Sequence, residues 1–149
     1  MDPRFDRTKF LKGEIANDWK FRSDSQRFEF GTRNWHLYAA VEDAVDQLTG
    51  IGWSAIHKHV AELSGELKSE LAERPGITLH TPLGWERSCG IVSFSAEGWD
   101  GVELSDRLRS DHQIIQRRVQ IPSGVRISCA HYTSRDDIQR FLTALDALM

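Results

Sequence analysis

The chain has 149 residues, 40% of them hydrophobic and 28% charged, which suits one soluble domain plus an arm and leaves enough apolar side chain for a core. Its formal net charge of -3 gives no electrostatic reason to expect nucleic acid or an anionic membrane as partner. No apolar run approaches the roughly 20 residues of a membrane span, the segment Met1-Asp2-Pro3-Arg4-Phe5-Asp6-Arg7 has no apolar stretch of signal-peptide type, and two cysteines at unrelated spacing suggest a reduced, cytoplasmic setting.

Residues 1–30 carry Phe5, Phe10, Trp19, Phe21, Phe28 and Phe30 without sustained periodicity, and read as an arm that packs on something else. From Asn34 the spacing turns helical: Trp35, Tyr38, Val41, Val45 and Leu48 recur at three- and four-residue steps, with Thr32 or Asn34 as N-cap. Thr49-Gly50-Ile51-Gly52 breaks that helix. A second helix places Ile56, Val60, Leu63, Leu67 and Leu71 on one face and stops at Pro75-Gly76.

The period then changes. Residues 77–79 form a short strand, and residues 89–95 a second one, with Cys89 expected buried there like Cys129 further on. Residues 101–110 favour a short helix with Val102, Leu104 and Leu108 as its apolar members. A strand over residues 114–121, a tight turn at Pro122-Ser123-Gly124 and a strand over residues 125–132 follow. In the last strand Val125, Ile127 and Cys129 face one way while Arg126, Ser128 and Ala130 face the other. Ser134-Arg135-Asp136-Asp137 is a near capping box with Asp in place of Glu, opening a helix lined by Ile138, Phe141, Leu142, Leu145 and Leu148. The order arm-α-α-β-β-α-β-β-α predicts an α+β fold, a small antiparallel-rich sheet with helices packed on one face.

Among residues that could carry chemistry, Arg126 stands first. It projects from a strand whose other face feeds the core, and a guanidinium can hold a carboxylate through two parallel hydrogen bonds. Gly31-Thr32, at a helix start, offers close backbone approach and a hydroxyl, the makings of an anion site. Arg27 and Glu29 could frame that loop as an ion pair. His57 and His59, two apart on a helix, point in different directions and do not share a metal; the remaining histidines are scattered.

Two segments taken together, Arg27-Phe28-Glu29-Phe30-Gly31-Thr32 and the stretch from Val125-Arg126-Ile127-Ser128 through Tyr132-Thr133 to Asp136-Asp137-Ile138, resemble the C-terminal part of the class V aminotransferase-like, pyridoxal-phosphate enzymes. That family includes cysteine desulfurases, selenocysteine lyases and isopenicillin-N-epimerase-like proteins. The resemblance implies a domain like the C-terminal domain of fold-type I pyridoxal-phosphate enzymes over residues 31–149, preceded over residues 1–30 by a remnant of the segment before it. It implies that Arg126 holds the substrate α-carboxylate and that Gly31 and Thr32 reach the cofactor phosphate of a neighbouring subunit. Asn34 matches an asparagine after Gly-Thr in many relatives, whereas Arg33 departs from their frequent proline. Arg117 and Arg118 precede the Val119–Pro122 loop, and in desulfurase-type relatives an arginine near here leads into a longer loop bearing a reactive cysteine, which makes Arg117 a candidate site residue. Here that loop is short and lacks cysteine, which favours an epimerase- or lyase-like branch over desulfurase chemistry.

The family's Schiff-base lysine lies upstream of these segments, and Lys12-Gly13 does not resemble its surroundings. The expectation is therefore a substrate-binding domain of a pyridoxal-phosphate enzyme acting on an amino acid, with no catalytic residue of its own and no cofactor held by this chain alone. The alternative is a stand-alone binding or partner module of the same fold. The apolar first helix and the aromatic arm point to a homodimer.

Overall fold

The structure, a computed structural model, describes residues 12, 23–28 and 34–149. The expectations for Gly31, Thr32, Glu29 and Phe30 fall outside the described residues, and with them the Arg27–Glu29 pair; the Arg27 guanidinium lies over the Phe28 ring at 4.6 Å. The chain divides into two compact units, through Gln47 and from Leu48 to Met149, and each is taken by itself.

In the first unit a 3-10 turn, Ser25–Phe28, precedes the start of helix α1, Trp35–Ile51. Asn34 caps α1, its Oδ1 accepting from the Leu37 amide at 3.2 Å, which answers one of the amides a helix start leaves without a partner. The stripe of Trp35, Tyr38, Val41 and Val45 is helical as its spacing predicts, yet every member is exposed, Trp35 at 69%. The helix runs past the expected stop through Gly50 to Ile51. The break falls at Gly52 alone, whose φ of 96° is open to glycine at little cost.

The second unit holds the core. Helix α2, Trp53–Glu73, buries Leu63, Leu67 and Leu71, one turn apart along one face, and ends where Pro75 cannot continue it. Strands β1 (Ile77–Leu79), β2 (Ile91–Ala96), β3 (Arg117–Gln120) and β4 (Ser123–Ser128) form one antiparallel sheet in the order β1-β2-β4-β3. Helix α3 is Gly101–His112 and helix α4 is Arg135–Leu148. Helix α2 lies along β1 and β2, α3 along β4 and β3, and α4 packs against both helices. Phe94 and Phe141 meet edge to face at the centre, with Val92, Val125, Leu104, Leu108 and Leu145 buried around them. Burying a side chain of this size stabilises by about 1.5–3 kcal/mol. The fold class is the expected one.

Polar side chains fix the helix ends. Ser134 and Asp137 complete a full capping box at α4, so the shorter aspartate substitutes for glutamate. Asp100 caps α3 by accepting from the Val102 amide, and Ser123 bridges Asp100 to the Gly101 amide. There the start of α3 touches the start of β4 backbone to backbone: a Cβ on Gly101 would stand 2.5 Å from Gly124 N and O, and one on Gly124 would collide with the Phe94 carbonyl. Arg74 grips Asp146 through both carboxylate oxygens, tying the end of α2 to the end of α4.

Three expectations are corrected. Strand β3 begins at Arg117, three residues late, because α3 ends in a left-handed cap: Gln113 takes φ 57° and the Ile114 amide returns to the Leu108 carbonyl, so residues 113–114 belong to the helix end. The turn is Ile121-Pro122, and Ser123 and Gly124 are already paired in β4, opposite Gln120 and Val119. Strand β2 starts at Ile91, and Cys89, which precedes it, is exposed. Cys129 is buried as expected, and that burial pushes its thiol up to about 11.

Candidate functional site

One end of the β3–β4 hairpin borders a groove of about 510 Å³, within the size range of small-molecule sites. Its walls are residues 113–117 leading into β3, residues 126–128 closing β4, and residues 132–141 opening α4. Alternation along β4 puts Val125 in the core and Arg126 on the other face, and Arg126 is one of the residues that line the groove. The sheet register sets Arg126 between Ser93 of β2 and Arg117 of β3.

Arg126 is half-buried, and its Nε is sealed from solvent without a hydrogen-bond partner among the described residues. Gln116, on the wall of the same groove, has the complementary vacancy. Its Nε2 donates to the Ser105 carbonyl and hydroxyl, which fixes the amide's orientation and leaves Oε1 buried with no donor. A donor and an acceptor, both desolvated and both unmatched, flank one cavity. Such groups are costly unless something completes them.

Asp137 is the acidic side chain on the wall, and its Oδ2 is already committed to the Ser134 amide and hydroxyl. Those bonds, backbone first, hold its carboxyl below the ordinary carboxylate range. The groove is thus cationic, with Arg117, Arg126 and Arg140 on its walls. The Tyr132-Thr133 corner is held in place from outside the groove: His59 of α2 donates from Nε2 to the Thr133 carbonyl at 2.9 Å, and the Thr133 hydroxyl accepts from the Ala130 amide.

Of the residues singled out in the sequence, Arg126 and Arg117 are brought together. Asn34 lies in the other compact unit, where its carboxamide caps α1, and Gly31 and Thr32 lie outside the described residues. His57 accepts from the Trp85 indole, and no metal-binding cluster occurs among the described residues. No described helix is long and apolar enough to cross a membrane.

The sequence reading missed Lys68. It lies one turn after Ser64, at the edge of the leucine stripe of α2, and is 1% exposed. Its ammonium donates to the Pro82 carbonyl (3.2 Å), the Leu83 carbonyl (2.7 Å) and the Ser88 hydroxyl (2.8 Å), pinning the loop before β2. The signal was the helical spacing of Ser64 and Lys68 beside buried leucines.

The lysines also test the fit of a pyridoxal cofactor. Among those described, Lys68 has its ammonium fully engaged by oxygens, Lys58 pairs with Glu62 on the surface of α2, and Lys12 is exposed. These described lysines do not build a Schiff-base site.

The sequence pattern of the aminotransferase class V family matches residues 8–141. Isopenicillin N epimerase of Streptomyces clavuligerus is 36% identical over 121 residues, covering 79% of this chain and 30% of that protein. A protein of Halobacterium salinarum named "Probable cysteine desulfurase" is 28% identical over 130 residues, covering 80% of this chain and 31% of its own. Among solved structures, a variant of the cystine C-S lyase C-DES, with glycine covalently linked to its pyridoxal-phosphate cofactor, superposes with a TM-score of 0.67 at 21% identity, covering 80% of this chain and 31% of the other. The chain thus spans about a third of the length of the relatives it matches, and those relatives include pyridoxal-phosphate enzymes.

Proposed function

Because this chain belongs to the aminotransferase class V family, we propose that it is the substrate-gripping portion of a pyridoxal-phosphate enzyme acting on an amino acid, and that it does not catalyse the reaction by itself. The observation that carries this reading is the buried, unpartnered Nε of Arg126 at the groove wall. A carboxylate entering there would accept in-plane hydrogen bonds from the guanidinium and relieve the unmatched donor. Ordering by the sheet supports the same role, because β4 holds Arg126 on a rigid element between two paired strands. Pyridoxal phosphate, when bound in an intact enzyme of this kind, acts as the electron sink for the bond changes at the substrate's α-carbon. Arg126 contributes orientation, fixing the carboxylate while other parts of the enzyme act on that carbon.

The connection between β3 and β4 is Ile121-Pro122 and carries no thiol. Cys129 is buried on the core side, and its raised pKa makes it a poor nucleophile. These features support an epimerase- or lyase-like reaction over sulfur transfer through a cysteine of this chain. In this reading Gly31 and Thr32 supply cofactor-phosphate contacts across a homodimer, the protein works in the cytoplasm, and a second copy covers the exposed stripe of α1.

The test follows the Arg126 Nε–H resonance while L-alanine is titrated into the purified chain. A saturable shift is expected, lost in Arg126→Gln with the fold retained. A resonance indifferent to the amino acid would refute the clamp. Incubation with pyridoxal phosphate and borohydride should label no single lysine stoichiometrically; labelling of Lys12 would refute the non-catalytic assignment. Light scattering should show a dimer at high micromolar concentration, and a strictly monomeric mass would remove the second copy.

A further inference from the structure

The register of the hairpin sets two cations face to face. Arg117 on β3 is the cross-strand partner of Arg126 on β4, so their Cβ atoms lie about 5 Å apart on one face of the sheet. Like charges directly opposed in this way repel, and sheets ordinarily pair such positions with opposite charge or with apolar groups. No compensation is present here: among the described residues neither guanidinium forms an ion pair with a carboxylate. Asp137 spends its Oδ2 on Ser134. Arg140, the third cation of the groove, is already served by the His112 carbonyl and by the nearby charge of Asp137.

An α-carboxylate held by Arg126 neutralises one of the two opposed charges and leaves Arg117 facing the same cavity. We infer that the groove selects amino acids with a second carboxylate on the side chain, the α-carboxylate resting on Arg126 and the side-chain carboxylate on Arg117. This inference rests on the reading of Arg126 as the α-carboxylate clamp and adds a specificity residue to it. Arg117 is exposed on an edge strand, so its replacement leaves the core intact.

The experiment titrates the purified chain with L-glutamate and with L-glutamine, which differ in side-chain charge at nearly constant shape, using wild type, Arg117→Gln and Arg126→Gln. Glutamate is expected to bind wild type at least ten-fold more tightly than glutamine. Arg117→Gln should erase that advantage, and Arg126→Gln should weaken both ligands. Equal affinities in wild type, or an advantage that survives Arg117→Gln, would overturn the dicarboxylate assignment and leave the clamp standing. Affinities untouched by Arg126→Gln, or no binding of either ligand to wild type, would overturn the clamp and this inference with it. Melting curves of both variants within the wild-type range confirm that lost binding is not lost folding.

Discussion

Replacing Lys68 with Met removes a cation from the interior while keeping most of the stem that packs beside Leu67 and Leu71. Three hydrogen bonds go with it, to the Pro82 and Leu83 carbonyls and the Ser88 hydroxyl, at 3.2, 2.7 and 2.8 Å. Ser88 keeps a partner, since its hydroxyl also donates to the Gly84 carbonyl. Each carbonyl left without a donor costs about 1–3 kcal/mol. Against this stands the desolvation of the ammonium, several kcal/mol in a protein interior, which the Met variant no longer bears. The two carbonyl penalties, about 2–6 kcal/mol together, are largely offset by that relief, and the expected net loss of about 1–2 kcal/mol lowers Tm by about 3–6 °C for a chain of this size. Thermal and urea melts measure it, and amide exchange should show the loop around Trp85 opening first. A Tm within about 1 °C of wild type, with that loop equally protected, would refute the claim that Lys68 is the anchor of residues 82–88.

Acid should act through the helix caps. Bonds from Ser134 and from Val102 hold the Asp137 and Asp100 carboxyls below their ordinary 3.8, so their contribution to stability is complete above that value and is lost as pH falls through the lower folded-state value. Asp137→Asn should flatten the decline in Tm below pH 4, and an unchanged acid slope would refute the capping role. Cys89 should react with a maleimide at neutral pH while Cys129 stays unmodified until the chain unfolds. Equal labelling of both thiols in the folded protein would refute the placement of Cys129 in the core.

Periodicity made the helices and their order legible, because leucines one turn apart and Pro75-Gly76 act locally. What it did not reveal was long-range. The start of β3 is set by a left-handed residue at Gln113, where sequence signals favour glycine. Cys89 looked buried because it adjoins an apolar run, but the pairing that fixes β2 begins two residues later. Arg126 was legible from alternation along β4 together with its motif. Its opposition to Arg117 was not, since cross-strand register depends on where the turn closes, and the turn lies at Ile121-Pro122 and not at residues 122–124. Lys68 was hidden for a different reason: lysine is so rarely buried that only the carbonyls of a loop distant in sequence reveal why it is there.

Strand β4 is read twice, once by β3 through the short connection at Ile121-Pro122 and once by β2, where Phe94 faces Val125 and Ser93 faces Arg126. The second reading does not pass through the hairpin tip. A one-residue slip would exchange every inward and outward side chain of the strand, and the pairing with β2 forbids that slip whatever the tip contains. The tip can therefore lengthen, shorten or acquire a reactive group without turning the Arg126 guanidinium toward the core. In this layout the hairpin tip and the strand that presents Arg126 are mechanically uncoupled, so one can be rewritten while the other stands still.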